Sequence, residues 1–407
     1  MTMNKRITVL HFTITEARGG VEEHILLLLR GLDRRHFRPV LVCPMALVEK
    51  FGSDIPTDVA VVPLAFRSLR HWKDGFQFAR ILRKYEVDVL HSHMFQASRL
   101  SSPIGRICDV PLIVETPHVR EHWRTGWVKS TYVLDRLLGC FVDHFIAVSQ
   151  ANARYLIEEK GLPQSKIHVI RNGCNFNRLD SARKAPSDLK RELGFEPDDP
   201  VILVLGRLEP QKGHRVLLDA LVFVRKEFPA IRLVCAGDGG LRSELEERSR
   251  AHGMLDSVRF VGYQANVADW LALADLTVLP SFYEGLPLFA IESLASEKPM
   301  VATAVDGTAE VVLNEKTGLT VPPGKPMEMA AAIQRLLRDP TRAKDLARSG
   351  RKWVLEHFSE ERQVQLTNEF YLRAWMERQQ PRSTGSKTAC DDQSSKRGTI
   401  SAVEQAE

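Results

Sequence analysis

Two glutamates stand among apolar residues in the segment SFYEGLPLFAIES, residues 281–293. Glu284 comes directly before a Gly-Leu-Pro sequence, and Glu292 follows eight residues later. A carboxylate in apolar surroundings is costly to bury unless a partner or a ligand satisfies it. The two side chains are therefore candidates for binding polar groups of one ligand.

The same segment has the features of a helix start. Pro287 suits the first helical position, and Gly285 and Leu286 then lie beside the free N–H groups of the first turn, where the helix dipole favours phosphate oxygens. We expect Glu284 to precede the helix and to face a cleft. Glu292 should lie about one and a half turns into the helix at ~3.6 residues per turn. The alternative for Glu292 is a solvent-exposed position on the helix surface.

The loop GRLEPQKG, residues 206–213, places two cations after an apolar strand. Arg207 and Lys212 are five residues apart, and glycines flank them on both sides. Two cations at the carboxyl end of a strand can clamp a diphosphate. The alternative is a surface loop whose charges are solvated.

Two glycine-rich sequences follow other strands. Gly19 and Gly20 fall in the first strand-to-helix loop, where paired glycines allow close backbone approach to an anion. The spacing is not G-x-G-x-x-G, so a dinucleotide site is not predicted, and an ordinary turn is an equal alternative. In the sequence GDGG, residues 237–240, we expect Asp238 to cap the helix that follows.

A histidine and two tryptophans mark the end of another strand. His118, in the sequence TPHV, is expected to point into the cleft from the first half of the chain, although a lone histidine is more often structural. The next residues interleave Trp123 and Trp127 with Lys and Arg. This pattern suits a membrane interface or an acceptor-binding loop, and the alternative is packing against a neighbouring helix.

Several kinds of site have no signature in the chain. The sequence contains no D-x-D, H-E-x-x-H, G-x-S-x-G or P-loop, so we predict no metal at a diphosphate and no cofactor. The six cysteines are scattered without a C-x-x-C pair, which indicates reduced thiols rather than a zinc site. No nucleic-acid motif accompanies the arginines, so no nucleic-acid partner is expected.

The elements that must position these residues form two series. Apolar strands alternate with helical patterns from residue 5 onward, pause in the polar stretch 178–199, and then begin again. This alternation predicts two parallel sheets, each covered by helices on both faces. Ligands of such sheets bind at the carboxyl ends of the strands, so the chemistry should lie in a cleft between the two. An amphipathic segment at 359–378 precedes a polar tail, 380–407, that should be disordered.

Charge and length limit the remaining classes. The 407 residues carry a net charge of +5, and residues 1–180 hold 25 Lys and Arg against 18 Asp and Glu. A basic first half suggests an anionic partner there, and an ordinary solvated surface is the alternative. No apolar run reaches the roughly 18–20 residues that span a bilayer, and the N-terminus lacks the pattern of a signal peptide. We therefore expect a cytoplasmic protein.

Taken together, these motifs resemble glycosyltransferase family 4, whose members are retaining enzymes of the GT-B fold. The resemblance is carried by Gly19-Gly20, TPHV, RNGCN, GRLEPQKG, GDGG, FVGY and the E-x7-E of Glu284 and Glu292. It implies an α/β protein with two Rossmann-like, doubly wound domains that face a central cleft. The expected divisions are an acceptor-side domain at 1–177, a nucleotide-sugar domain at 178–357, a helix at 358–379 that crosses back to the first domain, and the tail 380–407.

By this resemblance, the second domain binds a nucleotide-diphosphate sugar. Arg207 and Lys212 would neutralise the departing diphosphate, and Glu292 would bind the ribose hydroxyls. Glu284 would contact the donor sugar, with the amides of Gly285 and Leu286 beside it.

The remaining donor contacts would surround the base and approach from the first domain. The backbone of Val261 and Gly262 would hold the base. Gly19 and Gly20 would approach the diphosphate, and His118 would help to place the donor sugar and the acceptor. The chain departs from the family after Asn-Gly, where Cys174-Asn175 replaces the usual apolar and acidic pair.

The expected activity is transfer of a hexosyl or N-acetylhexosaminyl group to a glycan or lipid-linked acceptor, in cell-surface polysaccharide or glycolipid synthesis. An anionic membrane surface is a further expected partner, through the basic first domain. Two alternatives stay open at this stage. One is a nucleotide-sugar 2-epimerase on the same scaffold, and the other is a non-catalytic protein that binds sugar nucleotides.

Overall fold

A computed structural model gives the structure of the chain. It describes residues 5–66, 72–121, 131–180 and 182–379. Trp123 and Trp127, like the polar tail 380–407, lie outside the described residues. Among the described residues, none of the helices combines the length and the apolar character that crossing a membrane requires.

The first half of the chain forms a seven-stranded parallel sheet. Its strands are β1 (Ile7–Phe12), β2 (Phe37–Cys43), β3 (Ala60–Pro63), β4 (Val89–His93), β5 (Leu112–Thr116), β6 (His144–Ala147) and β7 (Ile167–Val169), in the order β3-β2-β1-β4-β5-β6-β7. The helices that cover it are α1 (Gly20–Gly31), α2 (Met45–Phe51), α3 (Trp72–Lys84), α4 (Phe95–Ile107), α5 (Tyr132–Gly139) and α6 (Gln150–Arg154).

The second half repeats this plan with six parallel strands. They are β8 (Val201–Leu205), β9 (Arg232–Ala236), β10 (Val258–Gly262), β11 (Leu276–Leu279), β12 (Met300–Thr303) and β13 (Leu319–Val321), in the order β10-β9-β8-β11-β12-β13. The helices are α7 (Pro186–Glu192), α8 (His214–Glu227), α9 (Arg242–Ala251), α10 (Val267–Leu273), α11 (Leu288–Ala295), α12 (Thr308–Val311), α13 (Pro326–Arg338) and α14 (Pro340–His357).

Continuous burial of the central strands explains why the sheets are parallel and doubly covered. All six residues of β1, all five of β4 and all four of β12 are buried, so no strand face is left for solvent. Such strands need helices on both sides, which the alternating chain supplies. The predicted pair of Rossmann-like, doubly wound sheets is confirmed.

The strand order reverses between β1 and β4 in the first sheet and between β8 and β11 in the second. Each reversal opens a crevice at the carboxyl ends of the strands, where ligands of open α/β sheets bind. The sequence analysis identified no strand at β3, which has only four residues and ends at Pro63.

The last helix, α15 (Glu360–Gln379), returns to the first sheet. Phe370, Tyr371 and Ala374 join the apolar core that contains Ile7 and Val9 of β1. The chain arrives there through a backbone bridge between Cys174 and Ser359, with the Cys174 N–H donating to the carbonyl of Phe358 at 2.9 Å. The predicted amphipathic segment is thus a helix that packs against the first half of the chain.

Two local predictions were wrong. Pro287 is the residue before α11 rather than its first residue, because its ψ of 111° is extended and the helix begins at Leu288. Asp238 does not cap α9, which begins four residues later at Arg242. Its carboxylate instead accepts a hydrogen bond from the N–H of Gly239 at 2.8 Å, which stabilises the turn.

Candidate active site

The candidate site lies where the carboxyl edges of the two sheets meet. Gly285, before α11, packs against the backbone of His118, which follows β5. A Cβ atom at position 285 would overlap the carbonyl oxygen of His118, so only glycine permits this approach. The contact brings the second-half glutamate segment and the first-half histidine together.

Lys212 and Glu284 form a buried ion pair at the centre of the site. The Lys212 Nζ atom lies 2.6 Å from Glu284 Oε1, and the two side chains are 19% and 6% exposed. Ser281 donates its hydroxyl to the same Oε1 atom at 2.7 Å. The cation that was predicted to meet a diphosphate is therefore held in place by the carboxylate that was predicted to meet the sugar.

The backbone of the cationic loop is shaped to present Lys212. Residues Pro210–Lys212 form one turn of 3-10 helix, and Gly213 follows in the left-handed region with φ 66°. A Cβ atom on Gly213 would overlap the carbonyl of Pro280, which brings the loop directly against the segment before α11. The N–H of Phe282 donates to the carbonyl of Gln211 at 2.8 Å and closes the same contact.

Arg207 is the more exposed of the two cations in this loop. Its side chain is 54% exposed, and among the described residues it pairs only with another exposed group. Its Nη1 atom lies 2.9 Å from Oε1 of Glu209, whose side chain is 38% exposed. An exposed pair of this kind contributes little to stability. A diphosphate can therefore replace Glu209 at low cost.

Glu292 lies on α11 between the buried residues Ile291 and Ser293, and it is partly buried rather than exposed. Burial raises the pKa of its carboxyl group to about 7, and the neighbouring Glu23 adds to the increase while Arg178 opposes it. The surface alternative from the sequence is therefore excluded. A partly buried carboxylate with this pKa gains from any ligand that donates hydrogen bonds to it.

The other backbone positions that were predicted to contact the donor are Gly19–Gly20 and Val261–Gly262. Gly19 and Gly20 begin α1, and Gly20 faces Leu288 of α11 across the cleft. The carbonyl of Val261 accepts a hydrogen bond from Gln264 at 2.6 Å, and the carbonyl of Gly262 accepts one from the Gly237 N–H at 2.8 Å. Neither carbonyl is left without a donor.

His118 belongs to a group of five buried histidines, which the sequence analysis did not foresee. Burial lowers the pKa of His118 well below its usual value, and the nearby His24 lowers it further. The Nε2 atom of His118 lies 3.3 Å from Nδ1 of His93. The H-S-H sequence that ends β4 is the signal that could have pointed to this group; its other members are His11, His24, His91 and His93.

Two acidic residues of the second half complete the contacts between the halves. Asp306 lies 3.8 Å from the guanidinium group of Arg120 in the first half, and it accepts the N–H of Glu284 at 3.2 Å. Glu310 accepts the N–H of Ala151 at 2.9 Å and the Arg171 Nε–H at 3.1 Å. The sequence analysis assigned a role to neither residue, because their partners in the first half lie far away along the chain.

A cavity of about 110 Å³ adjoins the site on the side of the first sheet. Met94, Phe95 and Lys160 line it from the first half, and Gln211 and Tyr283 line it from the second. The Lys160 ammonium group is buried and lies 2.7 Å from Glu121 and 2.9 Å from Asp135. Gln211 and Tyr283 are the sequence neighbours of Lys212 and Glu284, so the cavity lies beside that ion pair.

This arrangement suits the transfer of a group away from a diphosphate. Two cations and a helix start face the place where negative charge develops, and such preorganised groups stabilise a leaving group. Glu292, a partly buried carboxylate, lies further along the helix α11.

Comparison with known protein families gives two matches that together cover most of the chain. Residues 187–353 match the model described as "Glycosyl transferases group 1". Residues 18–178 match the model described as "Glycosyltransferase Family 4". The two matched ranges correspond to the second and the first sheet.

Individual relatives agree with these matches. A glycogen synthase of Mycobacterium tuberculosis is 32% identical over 308 residues, which are 74% of this chain and 72% of the relative. The lipopolysaccharide core biosynthesis glycosyltransferase LpsD of Rhizobium meliloti is 28% identical over 345 residues, covering 84% of this chain and 92% of LpsD.

Solved structures show the same fold at lower identity. The crystal structure of Anabaena Alr3699/HepE in complex with UDP-glucose superposes with a TM-score of 0.81 and 20% identity, covering 90% of this chain and all of HepE. The crystal structure of a glycosyltransferase from Rickettsia africae gives a TM-score of 0.79, with 91% and 98% of the two chains covered.

Proposed function

Because this chain belongs to glycosyltransferase family 4 and has the GT-B fold, we propose that it is a retaining hexosyltransferase or N-acetylhexosaminyltransferase. It moves the sugar from a nucleotide-diphosphate donor to a glycan or lipid-linked acceptor in the synthesis of cell-surface polysaccharide or glycolipid. The observation that carries this proposal is the Lys212–Glu284 pair, held at 2.6 Å at the start of α11.

The two cations stabilise the departing diphosphate. Glycosyl transfer passes through an oxocarbenium-like state while negative charge grows on the leaving phosphate. Lys212 is fixed by Glu284 and Ser281, so it is preorganised for that charge. Arg207 exchanges its exposed contact with Glu209 for a phosphate oxygen. With the charge met in this way and no D-x-D sequence in the chain, transfer proceeds without a metal ion.

The two glutamates have separate roles on one donor. Glu292 accepts hydrogen bonds from the ribose hydroxyls, which satisfy a carboxylate that is otherwise costly to bury. Glu284, with its oxygen already bonded to Lys212 and Ser281, positions the lysine and the sugar. A carboxylate engaged in this way is a poor nucleophile, which supports front-face attack assisted by the leaving phosphate and hence retention of configuration.

The first half of the chain supplies the acceptor side. The backbone at Gly19 and Gly20 approaches the diphosphate, and His118 helps to orient the donor sugar and the acceptor hydroxyl. The cavity beside Gln211 and Tyr283 holds the acceptor, because it opens next to the Lys212–Glu284 pair and draws residues from both halves.

The acceptor is delivered at an anionic membrane surface on the cytoplasmic side. Helix α5 carries three large apolar side chains toward solvent, with Val133 52% exposed, Leu134 47% and Leu137 61%. Adjacent exposed apolar residues on one helix favour an interaction surface. The excess of Lys and Arg in residues 1–180 favours an anionic one.

A thermal-shift panel of UDP-, GDP- and ADP-sugars tests the donor assignment, because a ligand that binds only the folded state raises its apparent stability. We expect one nucleotide series to raise the Tm. Arg207→Ala and Lys212→Ala should then nearly abolish sugar transfer while the protein stays folded. Arg215→Ala, which removes a surface arginine paired with Glu244, is the matched control. Activity near wild type in both loop variants would refute the assignment.

A further inference from the structure

Three of the five buried histidines point one ring nitrogen each toward a common centre. They are His24 of α1, His93 at the end of β4 and His118 after β5, and they are 5%, 0% and 4% exposed. One ligand atom from each lies within 4.8 Å of the other two. We propose that these three side chains form a site for a divalent transition-metal ion of the zinc, cobalt or nickel type, beneath the cleft and sharing His118 with the donor site.

The spacing of the nitrogen atoms suits such an ion. A tetrahedral zinc ion with nitrogen ligands at about 2.0–2.1 Å places those atoms about 3.3 Å apart. Nδ1 of His93 and Nε2 of His118 are already 3.3 Å apart. The His24 ring meets that of His118 edge to face, with ring centroids separated by 4.6 Å, and its ligand atom lies within 4.8 Å of the other two.

The hydrogen bonding of the His24 ring also supports a metal site. Its Nε2 atom is buried and has no hydrogen-bond partner among the described residues. Its Nδ1 atom lies 2.9 Å from Asn172 Oδ1, which can accept a proton, and 2.7 Å from the amide nitrogen of Gln363, which can donate one. A metal ion at Nε2 selects the tautomer in which Nδ1–H donates to Asn172, so that the Nε2 lone pair is available beside His93 and His118. A metal-binding histidine almost always donates its other N–H to an oxygen in this way.

His93 has the same kind of support from His11. Its Nε2 atom lies 3.1 Å from Nδ1 of His11, so Nε2–H can donate there and leave Nδ1 for the metal. The other possible group, His11 with His91 and His93, is less suitable. Both nitrogens of His91 are already bonded, one to the Tyr371 hydroxyl at 2.5 Å and the other to Thr116 at 2.7 Å.

Metal binding has a consequence for the donor site, because it removes His118 from the cleft. The ion and the donor then compete for one side chain, and each lowers the affinity of the other by the same factor. Zinc should therefore inhibit an enzyme that does not need it. This competition rests on the proposed function, whereas metal binding itself does not.

Cobalt(II) gives a readout that does not depend on activity. Tag-free protein treated with EDTA and desalted is titrated with CoCl₂, and the visible d–d absorption is followed to saturation. We expect one equivalent per chain with the intense band of a tetrahedral site, displaced by one equivalent of ZnCl₂. His24→Ala should abolish the band. His168→Ala, which breaks a half-buried histidine pair with His144 in the same half of the chain, should leave it unchanged.

A gain-of-affinity variant protects the test against loss of folding. Gln363 places its amide nitrogen 2.7 Å from His24 Nδ1. Gln363→Glu would put a carboxylate there and create a carboxylate–histidine–metal arrangement, which should tighten cobalt binding by about tenfold. Absence of a saturable band in wild type, or equal affinity in the wild type, His24→Ala and Gln363→Glu proteins, would overturn the proposal. The nucleotide-sugar thermal shift is measured on the same samples and reports the donor site separately.

Discussion

Replacing Glu292 by glutamine should stabilise the ligand-free protein and weaken its donor binding. Burial raises the pKa of this carboxyl group from 4.5 to about 7, so its ionised form is unfavourable in the folded state. Glutamine keeps the shape and the hydrogen-bonding groups but carries no charge. The structure therefore makes Glu292 a residue that is retained for a ligand at the expense of stability.

The sign and the size of the effect follow from the two pKa values. Between pH 4.5 and pH 7 the folded state holds a proton that the unfolded state has lost, so the free energy of unfolding falls as the pH rises. Integrated over that range, at about 1.4 kcal/mol for each pH unit, the loss is about 3 kcal/mol. Solvent at the edge of the side chain reduces this, and we expect a gain of about 1–3 kcal/mol for Glu292→Gln above pH 7.5.

Thermal unfolding of the ligand-free proteins at pH 4.5 and pH 8.5 measures this difference. In a domain of this size a gain of 1 kcal/mol raises the Tm by about 2–4 °C. Glu292→Gln should exceed wild type at pH 8.5, and the advantage should disappear at pH 4.5. Glu297→Gln, at an exposed acid just beyond the same helix, is the control and should shift little at either pH.

Calorimetric titration with the donor nucleotide completes the test. Loss of a charged hydrogen-bond acceptor for the ribose should weaken binding about tenfold or more at pH 8.5. A Glu292→Gln protein that is less stable than wild type at pH 8.5 would refute the burial argument. Unchanged nucleotide affinity, with or without a gain in stability, would refute the ribose assignment.

Three further outcomes follow from the site. Glu284→Gln should lower kcat by more than it raises KM, because the Lys212 partner is lost from the transition state; equal effects on both would contradict this. Gly285→Ala should reduce kcat/KM at least tenfold, since its Cβ meets the His118 carbonyl, whereas Gly240→Ala, with open space around the new atom, should not. Leu134→Ser combined with Leu137→Ser should reduce sedimentation with anionic liposomes and leave donor binding intact; unchanged sedimentation would remove the membrane surface from the account.

The overall architecture was predictable because it depends on short-range pattern. Strand β8, for example, is the continuous apolar run VILVL, and the helix α8 follows it, a pattern typical of a parallel sheet with helices on both faces. The restart after residue 199 likewise predicts a second sheet. Strand β3 was missed because it has only four residues and ends in a proline, which disfavours the interior of a strand.

The candidate site was predicted only in part, because its pairings depend on contacts between residues that are far apart in the sequence. Arg207, Lys212 and Glu284 were recognisable from their spacing within two loops. Their pairing was not, because Lys212 and Glu284 are 72 residues apart and meet only after Gly213 packs against Pro280. The prediction gave the two charges to different parts of a ligand, whereas the structure first gives them to each other.

The histidine group shows the same limit more strongly. His24, His93 and His118 come from a helix and two strand ends, at separations of 69 and 25 residues, which match no metal-ligand motif. Their convergence is a product of the sheet order, which sets β1, β4 and β5 side by side. Helix α15 then adds Gln363 beside His24 from the far end of the chain.

The central claim is that the loop of Arg207 and Lys212 binds the diphosphate of a sugar nucleotide, and calorimetric titration tests it most directly. The probe is whichever of UDP, GDP and ADP gives the largest thermal shift. We expect saturable binding to the wild-type protein. Arg207→Ala and Lys212→Ala should each lower the affinity at least tenfold, and Arg215→Ala should leave it unchanged. No binding of any of the three nucleotides, or equal affinity in all four proteins, would contradict the claim.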